Sequence, residues 1–333
     1  MVRSDGDHKR VQPLDGKYMA DMPAEPLALS APLALGYATR LCRSGLAGVE
    51  GCFWYHGVWQ YLCLLGLASA PDRHAVFFGS SFENLGVEGG FSRVLISGSA
   101  DYSMLAYLAQ THGRARITVV DCCETPLSLC RWYAKRMSQK IEMQRAQILD
   151  YRPDRAFDMI CTHSFLSRFP ATGRENLMKT WHGALRPGGM LVTSTRLNPS
   201  WSEDKAGFSP GQVMAFGERA LAEAEARPGL IDLASEDIAR FARHYAALFR
   251  NYSLRMEEEL RQLLERGGFA IEHLGIRELE GSLNRVVAFG GLTQSPLTRA
   301  VAKQALAEPL THSQRRGLHP DALLQSVASH FNI

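Results

Sequence analysis

From Arg93 onward, short apolar runs alternate with segments of helical periodicity, and that rhythm leaves few architectures open. Residues 93–97, 116–121, 142–146, 157–162 and 190–195 read as strands, each a short run bounded by turn formers. Between them, 102–110, 126–137 and 172–185 carry helical spacing. Thr125 is placed as an N-cap with Pro126 in the first turn, and Leu127, Cys130, Ala134 and Met137 mark one face of the helix that follows. The turn Arg186-Pro187-Gly188-Gly189 introduces the last of these strands. Strands separated by helices need right-handed crossovers, so the order predicts a doubly wound α/β fold around a mostly parallel sheet.

The flanks read differently. Residues 1–25 are polar and broken by Pro and Gly, and are expected to be disordered. Residues 26–90 look helical in three pieces, 32–42, 53–67 and 72–85; in the second, Trp54, Val58, Tyr61, Leu62 and Leu65 share one face, which should be buried. Residues 208–250 form an Ala/Glu/Arg-rich helical insertion. A helix from 253 shows Met256, Leu260, Leu263 and Leu264 on one face and stops at Gly267-Gly268. Two further strand candidates, 269–277 and 284–290, are joined by so short a link that they must pair as an antiparallel hairpin at a sheet edge. Residues 293–333 read as a helical tail.

Composition excludes more than it proposes. With 37 Lys+Arg against 34 Asp+Glu the net charge is +3, and no basic run or RNP-like motif supplies many phosphate contacts, so no nucleic-acid partner is expected. The polar start of the chain and the lack of an 18-residue apolar run predict a cytoplasmic protein without membrane contact. The 7 cysteines (Cys42, Cys52, Cys63, Cys122, Cys123, Cys130 and Cys161) are odd in number and irregularly spaced, without a Cys-x-x-Cys or a matching His pair. They read as reduced, buried thiols, and no metal is expected.

Three local stretches resemble the class I S-adenosylmethionine (SAM) dependent methyltransferases. Val94-Leu95-Ile96-Ser97-Gly98-Ser99-Ala100-Asp101-Tyr102 stands where that family has its glycine-rich loop, Val119-Val120-Asp121 at the acidic end of its second strand, and Leu185-Arg186-Pro187-Gly188-Gly189 at the turn before its fifth. The resemblance covers about 91–292. It implies a Rossmann-like, seven-stranded, mostly parallel sheet ending in the hairpin, with 26–90 as an N-terminal helical lid and SAM as cofactor. Small residues let the backbone approach a nucleotide, and a strand-end carboxylate about twenty residues later accepts ribose hydroxyls. Gly98, Ser99, Ala100, Asp101 and Asp121 are the implied cofactor residues, joined by Cys122 beside Asp121, by Asp150 and Tyr151 for the adenine, and by Thr162 at the end of strand four. The family's acidic residue before the loop is Ile96 here, and two loop glycines are replaced by Ala100 and Tyr102.

The reacting side is sketched more lightly. Ligands in this fold sit beyond the carboxyl ends of the strands, which places His163 and Ser164 after strand four and Arg196 after strand five at the rim. His163 is a candidate general base or a structural histidine; Arg196 either holds a substrate carboxylate or pairs with a nearby acid. The aromatic segment 53–61 is either a packed helix or a lid whose Tyr55, His56 and Gln60 point inward, its ring faces attracting the sulfonium cation. Three activities fit: methyl transfer to a small-molecule acceptor, cyclisation of SAM itself to azetidine-2-carboxylate with release of methylthioadenosine, and non-catalytic SAM binding. The partner is therefore a small molecule or SAM itself, and the C-terminal helices are candidates for pairing two copies.

Overall fold

A computed structural model describes residues 24–42, 51–68, 71, 77–78, 93–111, 115–203 and 206–272. Three helices come first, α1 (Ala24–Leu41), α2 (Phe53–His56) and α3 (Trp59–Leu64). The alternating unit follows: β1 (Arg93–Ser97), α4 (Ser103–Thr111), β2 (Arg116–Asp121), α5 (Glu124–Arg136), β3 (Glu142–Arg145), β4 (Phe157–His163), α6 (Ala171–Ala184) and β5 (Leu185–Ser194). Three more helices close the described chain, α7 (Pro210–Glu225), α8 (Ser235–Leu248) and α9 (Glu257–Arg266).

The five strands form one all-parallel sheet in the order β3-β2-β1-β4-β5. The order reverses direction at β1, so the chain winds outward first on one side of β1 and then on the other, opening a crevice at its carboxyl end. Val94, Ile96, Ile117, Val119, Met159, Cys161 and Val192 bury one sheet face against Leu105 and Leu108 of α4 and Leu127, Cys130 and Tyr133 of α5. The other face carries α6, whose fully buried Trp181 donates Nε1–H to Ser97 Oγ at 2.8 Å. The seven-stranded expectation reduces to five strands among the described residues. The hairpin beyond residue 272, the helix expected over 72–85 apart from 77–78, the tail 293–333 and nearly all of 1–25 lie outside them.

Several local expectations shift for identifiable reasons. The helix expected over 53–67 is broken at Gly57, where a β-carbon would stand 3.3 Å from Ala38 Cβ and 3.4 Å from Leu35 Cδ1; α1 approaches too closely for a straight continuation. Its apolar stripe holds, with Val58, Tyr61, Leu62 and Leu65 buried and Trp54 half-buried. The N-cap of α5 is Cys123, not Thr125: the Thr125 N–H points at Cys123 Sγ at 3.5 Å. The turn at 186–189 lies inside β5 as a bulge, four residues opposing one between Phe157↔Leu185 and Met159↔Met190, with Gly188 at φ +73°. Met256 is the N-cap of α9 and exposed, while Leu260, Leu263 and Leu264 are buried as the spacing predicts.

The insertion and the N-terminal helices are one layer. Val58, Tyr61 and Leu62 pack with Ala220 and Ala224 of α7 and Ile238, Ala242 and Tyr245 of α8. Tyr61 donates its hydroxyl to Asp232 Oδ1 at 2.6 Å, fixing the α7–α8 connection against α3. The aromatic segment 53–61 therefore stands on a packed helical base.

Candidate functional site

A cavity of about 340 Å³ opens at the carboxyl ends of β1, β2 and β4, within the range of small-molecule sites. Its floor is the turn after β1. Gly98 has φ +70°, and a β-carbon there would lie 2.6 Å from Phe165 Cζ, so only glycine serves. The Gly98 N–H donates to Val120 O at 2.9 Å, holding the turn against β2. Asp121 ends β2 half-buried, its carboxylate accepting Ser99 N–H at 2.9 Å and Cys123 N–H at 2.7 Å. One side chain thus braces both turns that border the cavity. Burial pushes its carboxyl up, while the neighbouring His56 and the two backbone donors pull it down.

Asp101 and Tyr102 complete the turn in different ways. Asp101 is buried; its Oδ1 accepts Ser103 N–H at 2.8 Å at the head of α4, and its Oδ2 accepts Gln60 Nε2–H at 3.2 Å. The carboxylate therefore links the loop to α3, although the residue still borders the cavity. Tyr102 turns inward and stacks on Tyr133 at 4.6 Å and 5°. The loop glycine it replaces is unneeded because its ring packs beneath α4, away from the cavity.

Of the implied cofactor residues, Gly98, Ser99, Ala100, Asp101, Asp121 and Cys122 border the cavity. Asp150, Tyr151 and Thr162 do not. The 3-10 turn Ile148–Asp150 aims Ile148 at the cavity and turns Asp150 to solvent, where it and Tyr151 border a separate hollow with Thr180. The cavity wall beyond β3 is formed instead by Ala146, Gln147 and Ile148. Thr162 is fully buried within the sheet, its Oγ1 without a hydrogen-bond partner among the described residues.

Across the cavity stand Tyr55, His56, His163 and Ser164, as expected of rim residues. His163 Nδ1 lies 2.7 Å from Ser194 Oγ, tying the ends of β4 and β5. Ser164 adopts φ +52°, a strained conformation for a residue with a β-carbon, with its N–H on Ser194 O at 2.8 Å. Tyr55 stacks on Trp59 at 5.2 Å and Tyr245 at 5.9 Å, and burial pushes its hydroxyl up. Arg196 is exposed and outside the cavity wall; the arginines at the wall are Arg145 and Arg168. The Arg168 side chain is the one set against the aromatic cluster. Its guanidinium lies 5.3 Å over the Tyr55 ring and 5.2 Å over Phe249, and donates to Arg250 O at 3.0 Å. Arg168 stands on the short turn Leu166–Arg168, a few residues past the segment that strand four made visible. Sequence alone gives no reason to continue that wall beyond Phe165.

The cysteines also depart from expectation. Cys122 is exposed and Cys52 and Cys63 are half-buried, while Cys42, Cys123, Cys130 and Cys161 are buried. Cys42, Cys52 and Cys123 gather with His56 at the cavity's edge. Hydrogen bonds from Cys42 and Cys52, with His56 alongside, hold the Cys123 thiol far below its ordinary range against the cost of burial.

Comparison with known proteins finds similarity within the alternating unit. Residues 94–189 match the methyltransferase domain family. Among solved structures, the pyocyanin biosynthetic protein PhzM aligns at 18% identity and TM-score 0.43, over 76% of this chain and 64% of its own. An O-methyltransferase family protein from Burkholderia thailandensis aligns at 16% and 0.42, over 76% and 67%. A stretch of 58 residues, 17% of this chain, is 48% identical to the chromosomal replication initiator protein DnaA of Chloroflexus aurantiacus. The chain spans only 12% of that protein's length. Among the described residues no helix is long and apolar enough to cross a membrane.

Proposed function

Taking residues 94–189 as a class I SAM-dependent methyltransferase domain with SAM as its cofactor, we propose that the chain transfers the methyl group of SAM to a small-molecule acceptor. The observation that carries this reading is the shared bracing by Asp121 of the two turns at the mouth of β1 and β2. That carboxylate stands at a cavity edge whose floor admits only glycine at 98. The residues fit the cofactor: a strand-end carboxylate suits two ribose hydroxyls, and the small side chains of Ser99 and Ala100 leave the backbone approachable. Ala146 to Ile148 would flank the base. SAM, when bound, supplies an electrophilic methyl group on a sulfonium.

The chain's own contribution is placement and exclusion of water. Tyr55 and Trp59 line the cavity, with Tyr55 stacked on both Trp59 and the buried Tyr245, an aromatic wall that keeps water out. Arg168 already occupies one side of the Tyr55 ring, so it suits an anionic group on the acceptor. His163, held by Ser194, is the residue at the rim fitted to take a proton from an acceptor hydroxyl or amine. In-line transfer needs mainly proximity and orientation, which a preformed cavity supplies. The acceptor partner is a small molecule, and nothing in this reading calls for nucleic acid.

Incubating the purified chain with SAM alone and with acceptor pools tests the proposal. S-adenosylhomocysteine formed only with acceptor supports it. Methylthioadenosine formed without acceptor replaces methyl transfer by cyclisation to azetidine-2-carboxylate, and binding without either product leaves a SAM-binding protein.

A further inference from the structure

We propose that Cys42, Cys52, His56 and Cys123 form a structural site for a thiophilic divalent ion of the zinc class, clamping the N-terminal helices to the turn after β2. The four ligand atoms lie within 4.8 Å of one another. Cys42 Sγ stands 3.6 Å from Cys123 Sγ and 3.6 Å from His56 Nδ1, and Cys52 Sγ stands 3.4 Å from Cys123 Sγ. Tetrahedral zinc with Zn–S near 2.3 Å and Zn–N near 2.0–2.1 Å separates its ligands by about 3.6–3.8 Å. These three pairs stand within tenths of an ångström of that spacing, and the others, none beyond 4.8 Å, need to close by about 1 Å at most. A disulfide needs its sulfurs at about 2.0 Å, and pairing any two of these thiols would strand the third thiol and the imidazole.

The surroundings suit a metal thiolate. Cys123 caps α5, where the free N–H groups and the helix dipole favour negative charge on sulfur. The Thr125 N–H lies 3.5 Å from Cys123 Sγ and Thr125 Oγ1 lies 3.1 Å from Cys42 Sγ, contacts that orient the sulfurs. Three ligands are buried and Cys52 is half-buried, a closed set without the open position of a catalytic zinc.

The site has a mechanical consequence. Cys42 follows α1, Cys52 and His56 bracket α2, and Cys123 sits two residues beyond Asp121 with its N–H on that carboxylate. One ion would close a 71-residue separation between Cys52 and Cys123 and hold Tyr55, on α2, at a fixed distance from the β2 turn. The site stands independently of what the cavity binds.

The test is metal content of the full chain, purified under reducing conditions without chelator after growth in zinc-replete medium. About one zinc per chain is expected, and reloading the stripped protein with Co²⁺ should give the intense ligand-field and thiolate charge-transfer absorption of tetrahedral sulfur coordination. Cys42→Ser and Cys52→Ser should each lose the ion, whereas Cys130→Ser, a buried thiol elsewhere, should keep it. Sub-stoichiometric metal together with a cobalt spectrum lacking thiolate bands overturns the proposal, as does a Cys42–Cys123 or Cys52–Cys123 disulfide in protein handled anaerobically. If the serine variants fail to fold, the wild-type cobalt spectrum decides alone. Neither readout requires SAM to bind.

Discussion

The ring of Phe165 closes over Gly98, so that a β-carbon on residue 98 would meet Phe165 Cζ at 2.6 Å. The two residues follow β1 and β4, and their contact makes the cavity floor a packed joint between neighbouring strands. At φ +70° residue 98 would also be strained with any side chain.

Gly98→Ala is therefore expected to destabilise the fold by roughly 1–3 kcal/mol, combining left-handed backbone cost with a displaced aromatic ring. Thermal unfolding with and without SAM reads it. An unchanged melting temperature would show that Phe165 yields freely and that the turn is not a tight joint.

Asp121→Ala removes the acceptor of both Ser99 and Cys123 N–H and the proposed ribose contact. Affinity for SAM should fall at least about tenfold, the equivalent of one lost charge-assisted contact of ~1.4 kcal/mol. Calorimetry measures it directly, and equal affinity in the variant would remove Asp121 from the cofactor site.

Arg168 and Arg196 separate the observed cavity wall from the one read in sequence. Arg168→Gln should raise the KM for an anionic acceptor by an order of magnitude or more while sparing SAM affinity. Arg196→Gln, at an exposed position outside the wall, should change stability by no more than about 0.5 kcal/mol and leave KM alone. The reverse ranking in steady-state kinetics would reinstate Arg196.

Asp158 gives a pH prediction away from the cavity. Burial raises its carboxyl, but the Arg93 N–H at 2.6 Å and the Arg186 guanidinium at 2.5 Å outweigh that and leave it below the ordinary carboxylate range. A carboxylate whose folded value is depressed contributes stability that is complete above its unfolded value near ~4 and lost as pH falls through the folded one. The melting-temperature gap between wild type and Asp158→Asn should be full at pH 7 and shrink below about pH 4. A gap that stayed constant down to acid unfolding would mean the contact is not ionic.

The strand and helix rhythm, the parallel sheet and the positions of Gly98 and Asp121 could all be read from the chain, because each depends on local periodicity or on a turn that one small residue permits. The cavity's opposite wall could not. Tyr55 and His56 were visible as part of an aromatic cluster, but which way they face depends on the break at Gly57, and that break depends on how closely α1 approaches. Asp150 and Tyr151 have the right neighbours in sequence and the wrong direction in space, since a single 3-10 turn rotates them out.

By itself, then, the order of residues determined the alternation of five strands with helices and the place, beyond the carboxyl ends of those strands, where a crevice opens, since those follow from spacing along one backbone. Only the tertiary structure decided that Arg168 rather than Arg196 meets Tyr55, and that three cysteines with no recognisable spacing converge on a histidine. Contacts between residues 71 or more positions apart in sequence depend on how helices pack across the sheet. Packing is set by the shapes of many side chains at once, which no short pattern encodes.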